Sequence, residues 1–221
     1  MIVVQGVFDI KFSEKLFDKY FKKAVEKEIN QALGLCVDPI QDRIRDEFRW
    51  AFINSPEYLS LNGGELAGEF GFIKGNEESR FLKPLLDWLV SKIDVYVSQP
   101  FSYDNGGELM IELAVFDRED LYSQPFAEYI SSGKYNISWL EWLLEKGNKI
   151  IIYTHKIDYE NKDRIQKFSR SKQAIMVKQG TWKVPSEFAG TVDRNWITET
   201  FRLIDNKILN IIKEEFCRNL S

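Results

Sequence analysis

Apolar residues recur at every third or fourth position in the first quarter of the chain, which predicts amphipathic helices. Ser13 is a candidate N-cap of a first helix, which Gly34 is expected to end. A second helix is expected to begin at Asp38, with Pro39 in its first turn and Gln41 at the capping-box position. The first helix has an apolar stripe of Leu16, Phe17, Tyr20, Phe21, Ala24, Val25 and Ile29. The second has a stripe of Ile40, Ile44, Phe48 and Phe52.

The stretch at 54–75 begins with the helix-breaking sequence Asn-Ser-Pro and contains five glycines among apolar residues. This pattern predicts a packed irregular segment. A third amphipathic helix is expected at 77–92, with Pro84 in its first turns. Short or alternating apolar runs predict strands at 2–7, 94–98 and 108–116, and Asp-Asn-Gly-Gly at 104–107 predicts the turn of a hairpin.

The second half of the chain mixes short elements with one long helix. Ser138 and Glu141 form a candidate capping box for a helix at 139–146, which Gly147 ends. A buried strand is expected at 150–153, and a hairpin at 174–178 and 181–184 with its turn at Gln179-Gly180. Residues 154–172 are mostly polar and charged, which is typical of a mobile loop. The last helix is expected at about 193–217.

These elements predict an α+β fold with a mainly antiparallel sheet packed against long amphipathic helices. No repeat or Pro/Ser-rich linker divides the chain. We therefore expect a single domain over 1–221, with a mobile polar loop near 155–172.

Charge and cysteine content narrow the functional classes. The net charge of −4 and the scattered Lys and Arg residues argue against tight binding to duplex DNA. Cys36 and Cys217 are the only cysteines, which favours a reducing compartment over a disulfide-stapled secreted protein. The sequence has no signal-peptide pattern at its start and no apolar run long enough for a membrane span, so no membrane is expected.

Catalytic chemistry is not predicted by any motif, so the chain is not expected to be an enzyme or to hold a cofactor. His155 is the single histidine and has no nearby nucleophile in a suitable setting, which favours an ordinary surface role. Zinc spacing is lacking. A magnesium-dependent nuclease could use the acids of the first hairpin, Asp94, Glu108 and Glu112, but acids on a solvated strand face explain them as well.

Two further patterns allow a binding role. The glycines at 63–71 lack the Walker lysine, and two glutamates would repel phosphate, so a tight packed turn is the better interpretation. Phe168, Arg170, Lys172 and Trp182 place aromatic rings among cations. This mixture serves single-stranded nucleic acid or a protein interface, and the acidic chain favours the interface.

Two stretches resemble virion structural proteins of tailed phages, and more loosely the tail-completion or neck proteins of long-tailed phages. The first runs from Phe52 to Phe72 and includes Asn-Ser-Pro-Glu-Tyr and the glycines that follow. The second includes Ser-Arg-Ser at 169–171, Ile-Met-Val at 175–177, the run at 182–191 and Asn-Trp-Ile-Thr at 195–198. The resemblance implies a ring-forming subunit at the head–tail junction or tail end, without catalytic residues or a cofactor.

The function expected from this resemblance is assembly through protein–protein contacts in the virion, after assembly in the host cytoplasm. The partners would be copies of the chain and other neck, portal-adaptor or tail proteins, and DNA would pass through the lumen without specific binding. Candidate interface residues are Arg43, Arg45 and Arg49 on one helix and His155, Arg170 and Lys172 on the polar segment. Two alternatives remain open: a small metal-dependent nuclease or phosphodiesterase, and a monomeric phage protein that binds one host partner.

Overall fold

The computed structural model describes residues 2–8, 19–73, 78–113, 116–130 and 135–219. Every strand pair in these residues is antiparallel, and the predicted α+β class is confirmed. The contacts of the chain form two compact units, each assembled from stretches that are separate in sequence. Unit 1 comprises residues 1–48, 89–115 and 204–221, and unit 2 comprises residues 49–88 and 116–203. A single domain over 1–221 stays a prediction.

Unit 1 contains a three-stranded sheet with strand order β1-β3-β2. The strands are β1 (Ile2–Phe8), β2 (Asp94–Ser102) and β3 (Gly106–Leu113), as the alternating apolar residues predict. The unit also contains most of helix α1 (Lys19–Ile53) and the larger part of helix α8 (Trp196–Asn219). The C-terminal end of β2 is hydrogen-bonded to α1. Asn30 donates to the Phe101 carbonyl at 2.8 Å and accepts from the Phe101 amide at 2.7 Å.

Unit 2 consists mainly of short elements around an aromatic core. Its helices are α2 (Pro56–Leu61), α3 (Glu65–Phe70), α4 (Lys83–Ser91), which extends beyond the unit, α5 (Arg118–Tyr122), α6 (Trp139–Leu144) and α7 (Lys162–Phe168). Two small sheets pair β4 (Tyr129–Ile130) with β5 (Asn136–Ile137) and β6 (His155–Asp158) with β7 (Ile175–Lys178). The core centres on Trp139, which is fully buried and lies 5.3 Å from Phe72 between ring centroids.

Helix α1 corrects the prediction of two helices separated near Gly34 and Asp38. The helix is continuous through Pro39, although proline removes one intrahelical donor. Leu33 and Cys36 are buried and bridge the two predicted apolar stripes, so a break would expose them. Gln41 does not cap a helix, because its side chain accepts from the Val95 amide at 2.9 Å. The predicted cap at Ser13 lies outside the described residues.

The segment predicted to be irregular at 54–75 contains α2 and α3. Ser55 caps α2 by accepting from the Tyr58 amide at 3.2 Å. Ser60 accepts from the Leu66 amide at 3.0 Å and so joins α2 to the first turn of α3. The predicted third helix is present, but it begins with a π-helical turn at Glu78–Leu82 before α4.

The region at 138–184 differs most from the prediction. Ser138 precedes α6 but makes no side-chain capping bond. The expected buried strand at 150–153 is reduced to one bridge between Ile152 and Trp182, and Tyr153 is 72% exposed. Strand β7 pairs with β6 instead of with residues 181–184, so the segment near 155–172 contains β6 and α7 in place of an irregular polar loop. The long C-terminal helix is confirmed as α8.

Candidate functional site

Unit 2 contains an open cleft of about 830 Å³. Its walls come from α3, the β4–β5 pair, α6, the β6–β7 sheet and the end of α7. The aromatic residues that line it are Phe70, Tyr129, Tyr135, Trp142, Phe168 and Trp182. A cleft of this size with apolar walls and few polar groups is typical of a binding site.

Hydrogen bonds beside the cleft join two stretches of the chain that lie about a hundred residues apart in sequence. Ser171 donates to the Gly68 carbonyl at 3.3 Å, and Gln173 donates to the Gly63 carbonyl at 3.1 Å. A Cβ atom on Gly68 would lie 3.3 Å from the Gln173 side chain, so the absence of a side chain permits this close approach. Helix α3, which contains Gly68 and is flanked by Gly64 and Gly71, is therefore a packing element, and the phosphate-loop interpretation has no support in its geometry.

A second pair of contacts joins the same two stretches away from the cleft. Trp196 donates from its indole nitrogen to Ser55 Oγ at 2.7 Å, and its ring stacks on Phe52 with 4.2 Å between centroids. Both Ser55 and Trp196 are buried. Residues 52–72 and 169–198, the stretches on which the phage resemblance depends, thus form one packed arrangement in unit 2.

Glu69 is the one carboxylate among the described residues that line the cleft. It accepts from Tyr159 Oη at 2.5 Å and from Trp182 Nε1 at 3.0 Å. Burial raises the pKa of Glu69 from its ordinary value of 4.5, while these two hydrogen bonds act in the opposite direction. Burial and the neighbouring carboxylate also raise the pKa of Tyr159. Glu69 is thus engaged by internal donors.

Arg170 reaches the cleft from a tight loop between α7 and β7. The loop is held by Ser169, which donates to the Ala174 carbonyl and accepts from the Lys172 amide at 3.2 Å. The guanidinium carbon of Arg170 lies 5.0 Å from the centroid of the Tyr129 ring, a cation–π distance. Arg170 therefore brings positive charge to an aromatic wall.

His155, on strand β6, also lines the cleft. Its Nδ1 lies 2.8 Å from Thr154 Oγ1, and the residue is half-buried. In the β6–β7 register His155 faces Lys178, so both side chains project from the same face of the sheet. His155 and Arg170, two of the predicted interface residues, are thus brought to one site, where binding of an anionic group is the chemistry they support.

The other predicted interface residues lie outside the cleft lining. Lys172 is exposed, but its ammonium donates to the Gln166 carbonyl at 2.6 Å. Arg43 and Arg45 belong to unit 1, where Arg43 binds Glu215 at 2.8 Å and Arg45 donates to the Ile93 carbonyl at 3.0 Å. Arg49 is exposed on the last turns of α1. Intramolecular contacts therefore occupy Arg43 and Arg45.

The carboxylates considered for a magnesium nuclease lie on the solvent face of the β2–β3 hairpin. Glu112 accepts from Tyr96 Oη at 3.0 Å, and Glu108 accepts from Ser98 Oγ at 3.0 Å. Within the described ranges, no group of three or more His, Cys, Asp or Glu side chains is arranged to hold a metal ion. Glu108 and Glu112 are thus each bound by a neutral hydroxyl group, and Asp94 accepts from the Val95 amide at 3.1 Å.

Sequence reasoning missed the wall formed by Tyr129, Tyr135 and Trp142. The strands β4 and β5 have only two residues each, too few for a period-2 pattern. The one available signal was the density of aromatic residues at 126–142. Its contribution to a cleft depends on contacts with residues distant in sequence.

No family model, no curated protein and no solved structure matches this chain. Among the helices in the described part of the chain, none combines the length and the apolar character needed to cross a bilayer.

Proposed function

We propose that the chain is a structural assembly protein that acts through contacts with other proteins. Its particular role in this proposal is the one that the sequence resemblance implies: a ring-forming neck or tail-completion subunit at the head–tail junction of a tailed phage. Its partners are copies of itself and other neck, portal-adaptor or tail proteins, and DNA passes through the ring without specific binding. It acts in the virion, after assembly in the host cytoplasm.

The observation that carries the proposal is the exposed aromatic surface at the cleft. Tyr135 is 73% exposed and Phe168 is 65% exposed, and both line the cleft beside Arg170. Tyrosine, tryptophan and arginine are enriched among the residues that dominate protein interfaces. When a partner covers large aromatic rings that were exposed to water, the free energy of the complex is lowered.

The packing of the two resemblance stretches also supports the proposal. Their contacts keep Glu69, Trp182 and Arg170 at fixed positions in the cleft. A preformed surface loses little conformational entropy on binding, which suits a subunit that must dock in one geometry. Thr154 Oγ1 contacts His155 Nδ1 in the lining, but Glu69, the carboxylate of the described lining, accepts from Tyr159 and Trp182 instead of orienting that ring, so binding is the activity that the geometry of the cleft supports best.

The decisive experiment is cryo-electron microscopy of the particle whose genome encodes the chain. We expect ring density that fits the chain on the portal-to-tail axis. Particles made with the Tyr135→Ala, Phe168→Ala variant should lack this ring, while the control Leu59→Ala, Leu203→Ala should retain it, because both control residues are exposed in unit 2 away from the cleft lining. Circular dichroism of each purified variant checks that it folds.

Absence of the chain from the wild-type particle would contradict the proposal. A stable 1:1 complex with one bacterial protein, without self-assembly, would then favour the host-binding alternative. Metal-dependent cleavage of nucleic acid that is lost in Glu112→Ala would favour the nuclease alternative.

A further inference from the structure

We propose that the cleft of unit 2 receives the outer face of the β2–β3 hairpin from a second copy of the chain. This inference rests on the proposed function, because it names the contact that joins neighbouring subunits. We call this hairpin surface the acidic sheet face. It consists of Asp94, Tyr96, Glu108, Met110 and Glu112.

The acidic sheet face has an apolar centre between carboxylates. Asp94 pairs with Glu112 and Tyr96 pairs with Met110, so these four side chains share one face of the sheet. Tyr96 is 39% exposed. Asp94 and Glu112 face each other as like charges, which destabilises a strand pair unless a cation is nearby. No salt bridge between described residues involves Asp94, Glu108 or Glu112.

The cleft has the complementary charge. Arg170 and His155 line the cleft, and the exposed Lys178 faces His155 across the β6–β7 pair. Glu69, the carboxylate of the lining, already accepts from Tyr159 and Trp182. An incoming carboxylate would therefore meet Arg170 and Lys178, while Glu69 is held by its own two donors.

The apolar parts of the two surfaces also correspond. Besides its aromatic rings, the cleft is lined by aliphatic side chains such as Ile137, Ile157 and Met176. These aliphatic walls can cover Tyr96 and Met110 of the acidic sheet face. A polypeptide with an acidic border is thus the occupant that both the walls and the charges favour.

The proposed contact joins one surface of a copy to a different surface of the next copy, so it determines how the copies assemble. The cleft of each copy takes the hairpin of the next, so the interface is heterologous and closes into a ring when the rotation between subunits allows it. The hairpin and the cleft residues belong to different units of the chain, so each copy carries both halves of the contact.

Paired charge reversals test this contact. The cleft variant is Arg170→Glu, Lys178→Glu, and the hairpin variant is Glu108→Lys, Glu112→Lys. Self-association of the full chain is measured by analytical ultracentrifugation at low salt, where screening is weak. We expect each variant to self-associate at least about tenfold more weakly than wild type, since attractive pairs become repulsive. An equimolar mixture of the two variants should regain association, because every cleft then finds a hairpin of opposite charge.

Matched controls reverse exposed charges elsewhere in the same units. Lys156→Glu, Lys162→Glu lies outside the cleft lining, and Glu28→Lys, Asp42→Lys lies on α1. Both controls should associate within about twofold of wild type. Circular dichroism checks the fold, and Lys178→Glu alone replaces the double cleft variant if Arg170→Glu prevents folding.

The inference is overturned if the mixed variants associate no more strongly than each one alone, or if wild type does not self-associate at its highest soluble concentration. It is also overturned if the cleft variant loses binding to a labelled single-stranded oligothymidine and keeps wild-type self-association. The proposed function fails separately, when the chain is absent from the particle. A ring in the particle with normal association of both charge variants would remove only the inference.

Discussion

Replacement of Arg43 by methionine is expected to destabilise unit 1, because the guanidinium neutralises a buried acid. Glu215 is 2% exposed and accepts from Arg43 Nη1 at 2.8 Å. Removing one partner of a buried ion pair costs roughly 3–5 kcal/mol, since the other charge is left without compensation. Here Arg218 Nη1 still lies 2.9 Å from both carboxylate oxygens, so we expect a smaller loss of about 2 kcal/mol.

The exposed part of the network adds little to this figure. Arg43 also binds Glu214 at 2.8 Å, but the Glu214 side chain is 59% exposed, so that pair is expected to contribute less than about 1 kcal/mol. Lys207 and Glu47 form a matched control in the same unit, with side chains 47% and 36% exposed. Lys207→Met should therefore change the free energy of unfolding by less than about 1 kcal/mol.

Urea unfolding followed by circular dichroism at 222 nm measures these changes. The double variant Arg43→Met, Glu215→Gln should recover part of the loss, because a neutral glutamine leaves no buried charge. If Arg43→Met costs no more than Lys207→Met, or if Glu215→Gln gives no recovery, the buried network does not stabilise unit 1 as argued.

The same network determines how the predicted Arg43, Arg45 and Arg49 interface can be tested. Glutamate at position 43 would stand beside Glu214 and Glu215, so a failure to assemble after reversing all three arginines would also follow from a damaged fold. Arg49 is exposed, and its reversal alone is the cleaner test of an interface on this helix.

Three further predictions concern unit 2. Trp139→Ala should lower its stability by roughly 3–5 kcal/mol in urea unfolding, because the fully buried ring packs against the rings of Phe70, Phe72 and Phe81 and its loss leaves a large cavity. Gly190→Ala should cost roughly 1–3 kcal/mol in the same assay, since an added Cβ would lie 2.6 Å from the Leu144 carbonyl oxygen. Stability should fall as pH rises from the ordinary Glu69 pKa of 4.5 through its raised value, because the folded state holds that proton more tightly than the unfolded state; Glu69→Gln should weaken this pH dependence and the exposed Glu119→Gln should not.

Helix α1 shows how local signals can mislead where the apolar period is continuous. Gly34, Asp38 and Pro39 are ordinary signs of a helix end and a new start. The buried side chains of Leu33 and Cys36 keep the stripe unbroken between the two predicted helices. The free energy of burying that stripe exceeds the cost of one missing donor at Pro39, so tertiary packing decides the outcome.

The β6–β7 sheet shows a different limit. Gln179 and Gly180 have positive φ values of 72° and 159°, and the chain bends at these two residues, as their sequence predicts. The strand after this turn does not pair with β7, because residues 155–158 supply the partner strand and Trp182 bridges to Ile152. A polar composition was a poor guide to secondary structure there, since α7 needs only Ile165 as a buried anchor.

Only the residues that make the packing contacts of the candidate site could be recognised from the sequence. Gly68, Trp182 and Trp196 each make a contact between stretches distant in sequence, and such contacts require particular residues: a glycine where backbone and side chain meet closely, and an indole donor aimed at one oxygen. Those residues carry the phage resemblance and belong to the unit whose cleft Arg170 and His155 line. The surface proposed to touch a partner includes Tyr135 and Phe168, whose side chains are 73% and 65% exposed. Because most of each side chain is exposed to solvent, the free energy of covering it is available for binding, and variants at these positions can separate assembly from folding.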